Sequence, residues 1–129
     1  MLHFGEHLTL DGYGGNYDLL NDEKNCLSVI LELPDLLGMH ALSQPVLVSA
    51  PDNQLKDPGG WSGFVIIAES HIAFHSFPKR GFVSADVYTC QNGLDTEKIV
   101  AYFKEKFALQ EVETNFIKRG LLYPAQNIY

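Results

Sequence analysis

Two β-prone runs about a single turn constrain this chain more than anything else in it. His71-Ile72-Ala73-Phe74-His75-Ser76-Phe77 runs extended, and Phe82-Val83-Ser84-Ala85-Asp86-Val87-Tyr88 reads as the returning strand. Between them lies Pro78-Lys79-Arg80-Gly81, whose proline and glycine favour a reversal. With Lys79 and Arg80 as the loop, paired residue numbers sum to 159, so residue 70 faces 89 and residue 69 faces 90. Cys90 therefore lies beside the Glu69-Ser70 peptide, although twenty residues separate it from Ser70. Upstream, Gly63-Phe64-Val65-Ile66-Ile67-Ala68 is apolar almost throughout, which predicts a strand buried on both faces.

The remaining elements are shorter signals. His7-Leu8-Thr9-Leu10 alternates as a first strand, and Asp11-Gly12-Tyr13-Gly14-Gly15-Asn16 reads as a turn-rich loop. That loop lacks the Lys-Ser/Thr of a phosphate-binding loop. Asn21 is a helix N-cap, with Asp22 and Glu23 in the first turn and Leu27, Ile30, Leu31 and Leu33 on the apolar face. Pro34 is expected to end or kink this helix, with Gly38 closing it. Val46-Leu47-Val48 predicts a short buried strand, and residues 50–60 a polar loop with two prolines. Asp95 or Thr96 caps a second helix carrying Ile99, Tyr102, Phe103 and Phe107 on one side. A last strand is expected over Asn115–Gly120. The order β-α-β-β-β-α-β predicts an α+β fold, a two-layer α/β sandwich with an antiparallel sheet and helices on one face. The 129 residues suit a single domain, 1–129.

Charge narrows the function classes. Nine Lys and Arg against sixteen Asp and Glu give a net charge of -7. Phosphate contacts need a basic face, so nucleic acid is excluded as a partner, and an anionic membrane surface with it. The first residues carry no basic segment followed by an apolar stretch, and no run of about 18 apolar residues occurs. Two cysteines make no disulfide scaffold, so the expectation is a reduced, cytoplasmic domain. A cleft with several polar groups is hard to enclose in so short a chain, and a site shared between subunits is the natural remedy.

Along the hairpin stand Glu69, Ser70, His71, His75 and Cys90. The residues alone leave three readings open. His71, His75 and Cys90 offer zinc ligands without a clear fourth, and no metal site is assigned. Cys90 with His75 offers a thiolate pair without an orienting third group. All of them are also compatible with satisfied polar groups inside a sheet.

The stretch Glu69-Ser70-His71-Ile72-Ala73-Phe74-His75, with Asp86, Thr89 and Cys90, resembles the short prokaryotic S-adenosylmethionine decarboxylases, whose signature is ESHxxxH followed by Asp-x-x-Thr-Cys. His7-Leu8 with Asp11 and Leu19-Leu20-Asn21-Asp22 extend the likeness over most of the chain, residues 40–60 matching least. The resemblance implies a self-processing enzyme. The Ser hydroxyl attacks the preceding carbonyl, and the resulting ester eliminates to leave a pyruvoyl group, an electron sink that forms a Schiff base with the substrate amine. Carried over, the cut falls between Glu69 and Ser70, giving a β chain of 1–69 and an α chain of 70–129. His75 corresponds to the base that promotes elimination, and Ser62 to a serine that assists processing. Cys90 corresponds to the acid that returns a proton to carbon. Phe77, Ile72, Lys79 and Asp11 fall at substrate-binding positions. The family's role is polyamine synthesis, its product feeding spermidine, and its assembly a homodimer of processed protomers with sites near the interface.

Two positions of one segment depart from the family. Trp-Pro-Glu is replaced by Phe77-Pro78-Lys79. Phe77 keeps a smaller stacking surface, but the Lys79 ammonium has only donors where the family's Glu accepts from ribose. Relatives that decarboxylate arginine or ornithine with the same machinery are therefore the alternative, and a non-catalytic α+β binding module is the second.

Overall fold

The computed structural model describes residues 2–56 and 58–128. Six antiparallel strands form one sheet: β1 (Gly5–Tyr13), β2 (Val46–Ala50), β3 (Gly60–Ile67), β4 (Ser70–Phe77), β5 (Phe82–Thr89) and β6 (Glu111–Arg119), in the order β2-β3-β4-β5-β1-β6. Three helices, α1 (Tyr17–Asn21), α2 (Glu23–Leu36) and α3 (Thr96–Phe107), cover one face. The expected α+β sandwich is thus the observed one.

The β4–β5 register follows from its turn. Pro78–Arg80 forms one 3-10 turn, and Gly81 at φ +61° supplies the left-handed residue that reverses the chain. Phe77 then faces Phe82, and Ser70 faces Thr89, as the loop arithmetic requires. Because side chains alternate, Ile72 and Phe74 on β4 and Val83, Ala85 and Val87 on β5 point to the helices. There they meet Cys26, Val29, Ile30 and Leu33 of α2 and Ile99, Phe103 and Phe107 of α3, all buried. Phe74 is fully buried against Phe107, so Phe74→Ala should cost about 3–5 kcal/mol of stability, measurable by denaturant unfolding.

Several local expectations are corrected. The first helix is two: Asn16 caps α1 through Leu19 N–H, and Asp22, not Asn21, caps α2 through Lys24 N–H. Strand β1 runs on through Asp11-Gly12-Tyr13, because β5 and β6 flank it on both edges and pair with it there. Pro34 lies inside α2 without ending it. It sits in the last turn, buried in the core, and Leu37 N–H still reaches Leu33 C=O at 3.1 Å. Strands β2 and β3 are not buried on both faces. Phe64 and Ile66 are each 42% exposed and Val48 55%, because among the described residues no helix covers the second face of the sheet.

Strand order also settles what a break before Ser70 would do. Strands β1, β2 and β3 would belong to one fragment and β4, β5 and β6 to the other, yet β1 lies between β5 and β6. Fragments interleaved in one hydrogen-bonded sheet cannot separate without unfolding. Processed protein should elute as one species in native buffer and resolve into two only in denaturant. Separation under native conditions would contradict this topology. No helix among the described residues is long and apolar enough to cross a membrane.

Candidate active site

The β3–β4 turn carries Glu69 and Ser70, and three features set this peptide apart. Ser70 has φ +149°, a region that residues with a Cβ avoid, at a cost of about 1–3 kcal/mol. The Glu69 carbonyl accepts the Cys90 N–H at 2.8 Å, so the carbon that a hydroxyl would attack is already polarised. The Glu69 side chain is buried and held by His40 N–H at 3.2 Å and by the Gln91 amide at 3.4 Å. The hairpin register thus brings Cys90 to the Glu69-Ser70 peptide, as its sequence position requires.

The two cysteines differ in kind. Cys26 is buried, its thiol donating to Leu20 C=O at 3.4 Å, and burial pushes it up to about 11. Cys90 is exposed at the end of β5. The turn after it is pinned by Glu6, which accepts from Gly93 N–H at 3.0 Å and Leu94 N–H at 2.9 Å. Burial raises the Glu6 carboxyl, but the Leu94 N–H, His3 and the Gly93 N–H together hold it below the usual carboxylate range.

A second group lies farther along the open face. Ser62 Oγ and His75 Nδ1 are 2.7 Å apart, on facing positions of β3 and β4. In the same cross-sheet row His75 faces Ser84, and Ser84 Oγ donates to Asp11 Oδ1 at 3.0 Å. Ser62 and His75 also line a groove of about 360 Å³ with Val46, Val48, Phe64 and Ile66. This group is not adjacent to Ser70. Five residues of strand separate His75 from Ser70, roughly 16 Å at about 3.3 Å per residue. Within one chain, neither the thiolate pairing of Cys90 with His75 nor the zinc set of His71, His75 and Cys90 can close across that separation.

Phe77 and Lys79 stand at the opposite end of β4 from Ser70. Phe77 packs on Phe82, and Lys79 lies 3.7 Å from Asp52, beside a cleft of about 250 Å³ bounded by Trp61 and Pro78. Asp52 thus places a carboxylate where Lys79 has none. Ile72 is corrected: it is wholly buried beneath the sheet, on the helix side, and has no surface to offer a substrate.

The sequence reading missed a third group. His7 of β1, His71 of β4 and Asp86 of β5 converge on the open face, their ligand atoms within 4.8 Å of one another. Asp86 sits one row from His7 and His71 across three neighbouring strands, and only the placement of β1 beside β5 reveals this.

A family model described as S-adenosylmethionine decarboxylase matches residues 6–120. The chain belongs to this family. The S-adenosylmethionine decarboxylase proenzyme of Clostridium botulinum strain Langeland is 34% identical over 120 residues, covering 93% of this chain and 97% of its own. That of Moorella thermoacetica is 30% identical over 126 residues, covering 98% and 95%. That of Pyrococcus horikoshii is 34% identical over 117 residues, covering 91% and 79%. The crystal structure of the adenosylmethionine decarboxylase from Aquifex aeolicus VF5 superposes with a TM-score of 0.78 over 94% of each chain, at 21% identity, a likeness of fold. Membership of the S-adenosylmethionine decarboxylase family sets the enzyme class as a carboxy-lyase.

Proposed function

We propose that this chain is a proenzyme that cuts itself between Glu69 and Ser70 and then decarboxylates S-adenosylmethionine at the group derived from Ser70. The observation that carries this reading is the Glu69-Ser70 peptide, with its strained φ and a carbonyl held by Cys90 N–H. Ser70 Oγ adds to the Glu69 carbonyl carbon, the C–N bond breaks, and the hydroxyl proton ends on the freed nitrogen. The product is an ester. A base then removes the Ser70 α-proton, the Glu69 carboxylate leaves Cβ, and hydrolysis with loss of ammonia leaves a pyruvoyl group heading residues 70–129. That ketone supplies the electron sink for decarboxylation. Relief of strain at residue 70 favours the first step.

The other residues act as follows. The Cys90 thiol, exposed and one residue beyond the Thr89 that faces Ser70, holds the proton that returns to carbon. His75, oriented by Ser62, serves as the base for elimination. It cannot reach Ser70 of its own chain, so a second copy supplies it. The uncovered sheet face, with Val46, Val48, Phe64 and Ile66 exposed around the Ser62–His75 groove, supports a homodimer packed face to face. Asp11, tied to the same row through Ser84, adds negative charge toward a cationic substrate.

Carbon dioxide release from purified protein, assayed side by side with S-adenosylmethionine, arginine and ornithine, tests the assignment. Release from S-adenosylmethionine, at least about 100-fold above either amino acid in kcat/KM, is the expected result. Release only from arginine or ornithine would overturn the substrate, and an uncut chain with no release would overturn the enzyme.

A further inference from the structure

The trio of His7, Asp86 and His71 has no part in the steps above. Asp86 Oδ2 lies 2.9 Å from His7 Nε2 and 2.8 Å from His71 Nε2. An ionised carboxylate only accepts, so both imidazoles donate Nε2–H to it. Behind His7, the Arg119 guanidinium lies with Nη1 3.0 Å from His7 Nδ1. A guanidinium only donates, so Nδ1 is the acceptor and Nε2 carries the proton. Arg119 thereby sets the tautomer that His7 presents to Asp86. A metal ion on His7 Nε2 would drive that proton to Nδ1, against the Arg119 donor, so the trio is wired for hydrogen bonding. Tyr88 packs against both rings, with centroids 5.2 Å from His7 and 5.7 Å from His71, and Arg119 lies over it at 4.9 Å.

We propose that this cluster is a clamp that holds the head of β4 in place once the bond before Ser70 is broken. Asp86, His7 and His71 are then positioning residues for residue 70. The inference rests on the reading that the chain is cut there. Before the cut, residue 70 is tethered on both sides. Afterwards it is a chain end, and chain ends fray unless they are tied down. The first side chain after it that can tie it down is His71, which is anchored to Asp86 on β5, the strand that leads into Cys90. Asp86 is anchored in turn to His7 on β1, a strand of the other fragment. The clamp therefore fixes residue 70 against both the Cys90 segment and residues 1–69. A displacement of about 1 Å at a reacting centre costs on the order of 100-fold in rate, so such a tie has a large effect on turnover.

The test compares the parent full-length protein with Asp86→Ala, His71→Ala and His71→Gln. Self-cleavage is followed by intact mass, kcat and KM by carbon dioxide release from S-adenosylmethionine, and folding by thermal midpoint. Both alanine variants should cut within about threefold of the parent rate, because the intact bond still holds residue 70, and should keep KM within about threefold, while kcat falls at least about tenfold. His71→Gln keeps an N–H donor near the position of the imidazole Nε2 and should recover most of the kcat lost in His71→Ala. A kcat within about twofold of the parent in Asp86→Ala would overturn the clamp. So would parallel losses of cutting, kcat and thermal midpoint, which mark a general structural role. A His71→Gln variant as slow as His71→Ala would overturn it too, by giving the imidazole a chemical task of its own. A parent protein that is never cut or releases no carbon dioxide would instead sink the decarboxylase reading, so the two failures are told apart.

Discussion

Ser70→Ala will leave the chain whole and without turnover. Alanine has no oxygen to attack the Glu69 carbonyl, so neither the ester nor the group derived from it can form. The substitution removes one hydroxyl from a half-buried turn and leaves the core untouched, so the protein should fold with a thermal midpoint close to the parent's. The intact mass should be that of one unbroken chain. Carbon dioxide release should fall below detection, since the rate acceleration of an enzyme, at least about a millionfold, is routed through this residue. Normal cutting in Ser70→Ala would remove Ser70 as the nucleophile. Cutting at another peptide would move the assignment to that bond.

A mixture of two inactive variants should regain the cut. Alone, Ser70→Ala lacks the nucleophile and should remain uncut, and His75→Ala lacks the base and should remain uncut or stall as an ester that hydroxylamine cleaves. Co-expressed, they form mixed dimers in which the Ser70→Ala copy presents its intact Ser62–His75 pair to the Ser70 of the His75→Ala copy. With random pairing, about half of the His75→Ala chains should be cut, and none of the Ser70→Ala chains. The physical basis is the separation along β4: roughly 16 Å of strand between Ser70 and His75 is beyond the reach of an imidazole, whatever its rotamer. No cutting in the mixture, with mixed dimers verified by mass, would place the base within the same chain and contradict the shared site.

The hairpin was legible from sequence because its information is local. Alternation along residues 71–77 and 82–88 set the faces, Pro78 and Gly81 set the turn, and the turn set the register. That register brought Cys90 to the Glu69 carbonyl. The cap of α3 at Asp95 was legible for the same reason, since an N-cap acts on N–H groups within its own turn.

Other features depended on which distant segments pack together. The apolar residues Phe64 and Ile66 look the same in sequence whether a helix, a second copy or water faces them, and only the placement of all three helices on one side showed them uncovered. Gly12 reads as a turn residue, yet it lies in β1 because β5 and β6 bracket it. His7, Asp86, His71 and Arg119 are spread over more than a hundred residues, and they met only when β1 entered the sheet between β5 and β6. The sequence by itself determined the Glu69-Ser70-His71 motif, the hairpin and its register, because turn chemistry and a two-residue period act between near neighbours. Tertiary structure alone decided that His7, His71 and Asp86 meet and that one sheet face is open, because both follow from long-range strand order and helix placement.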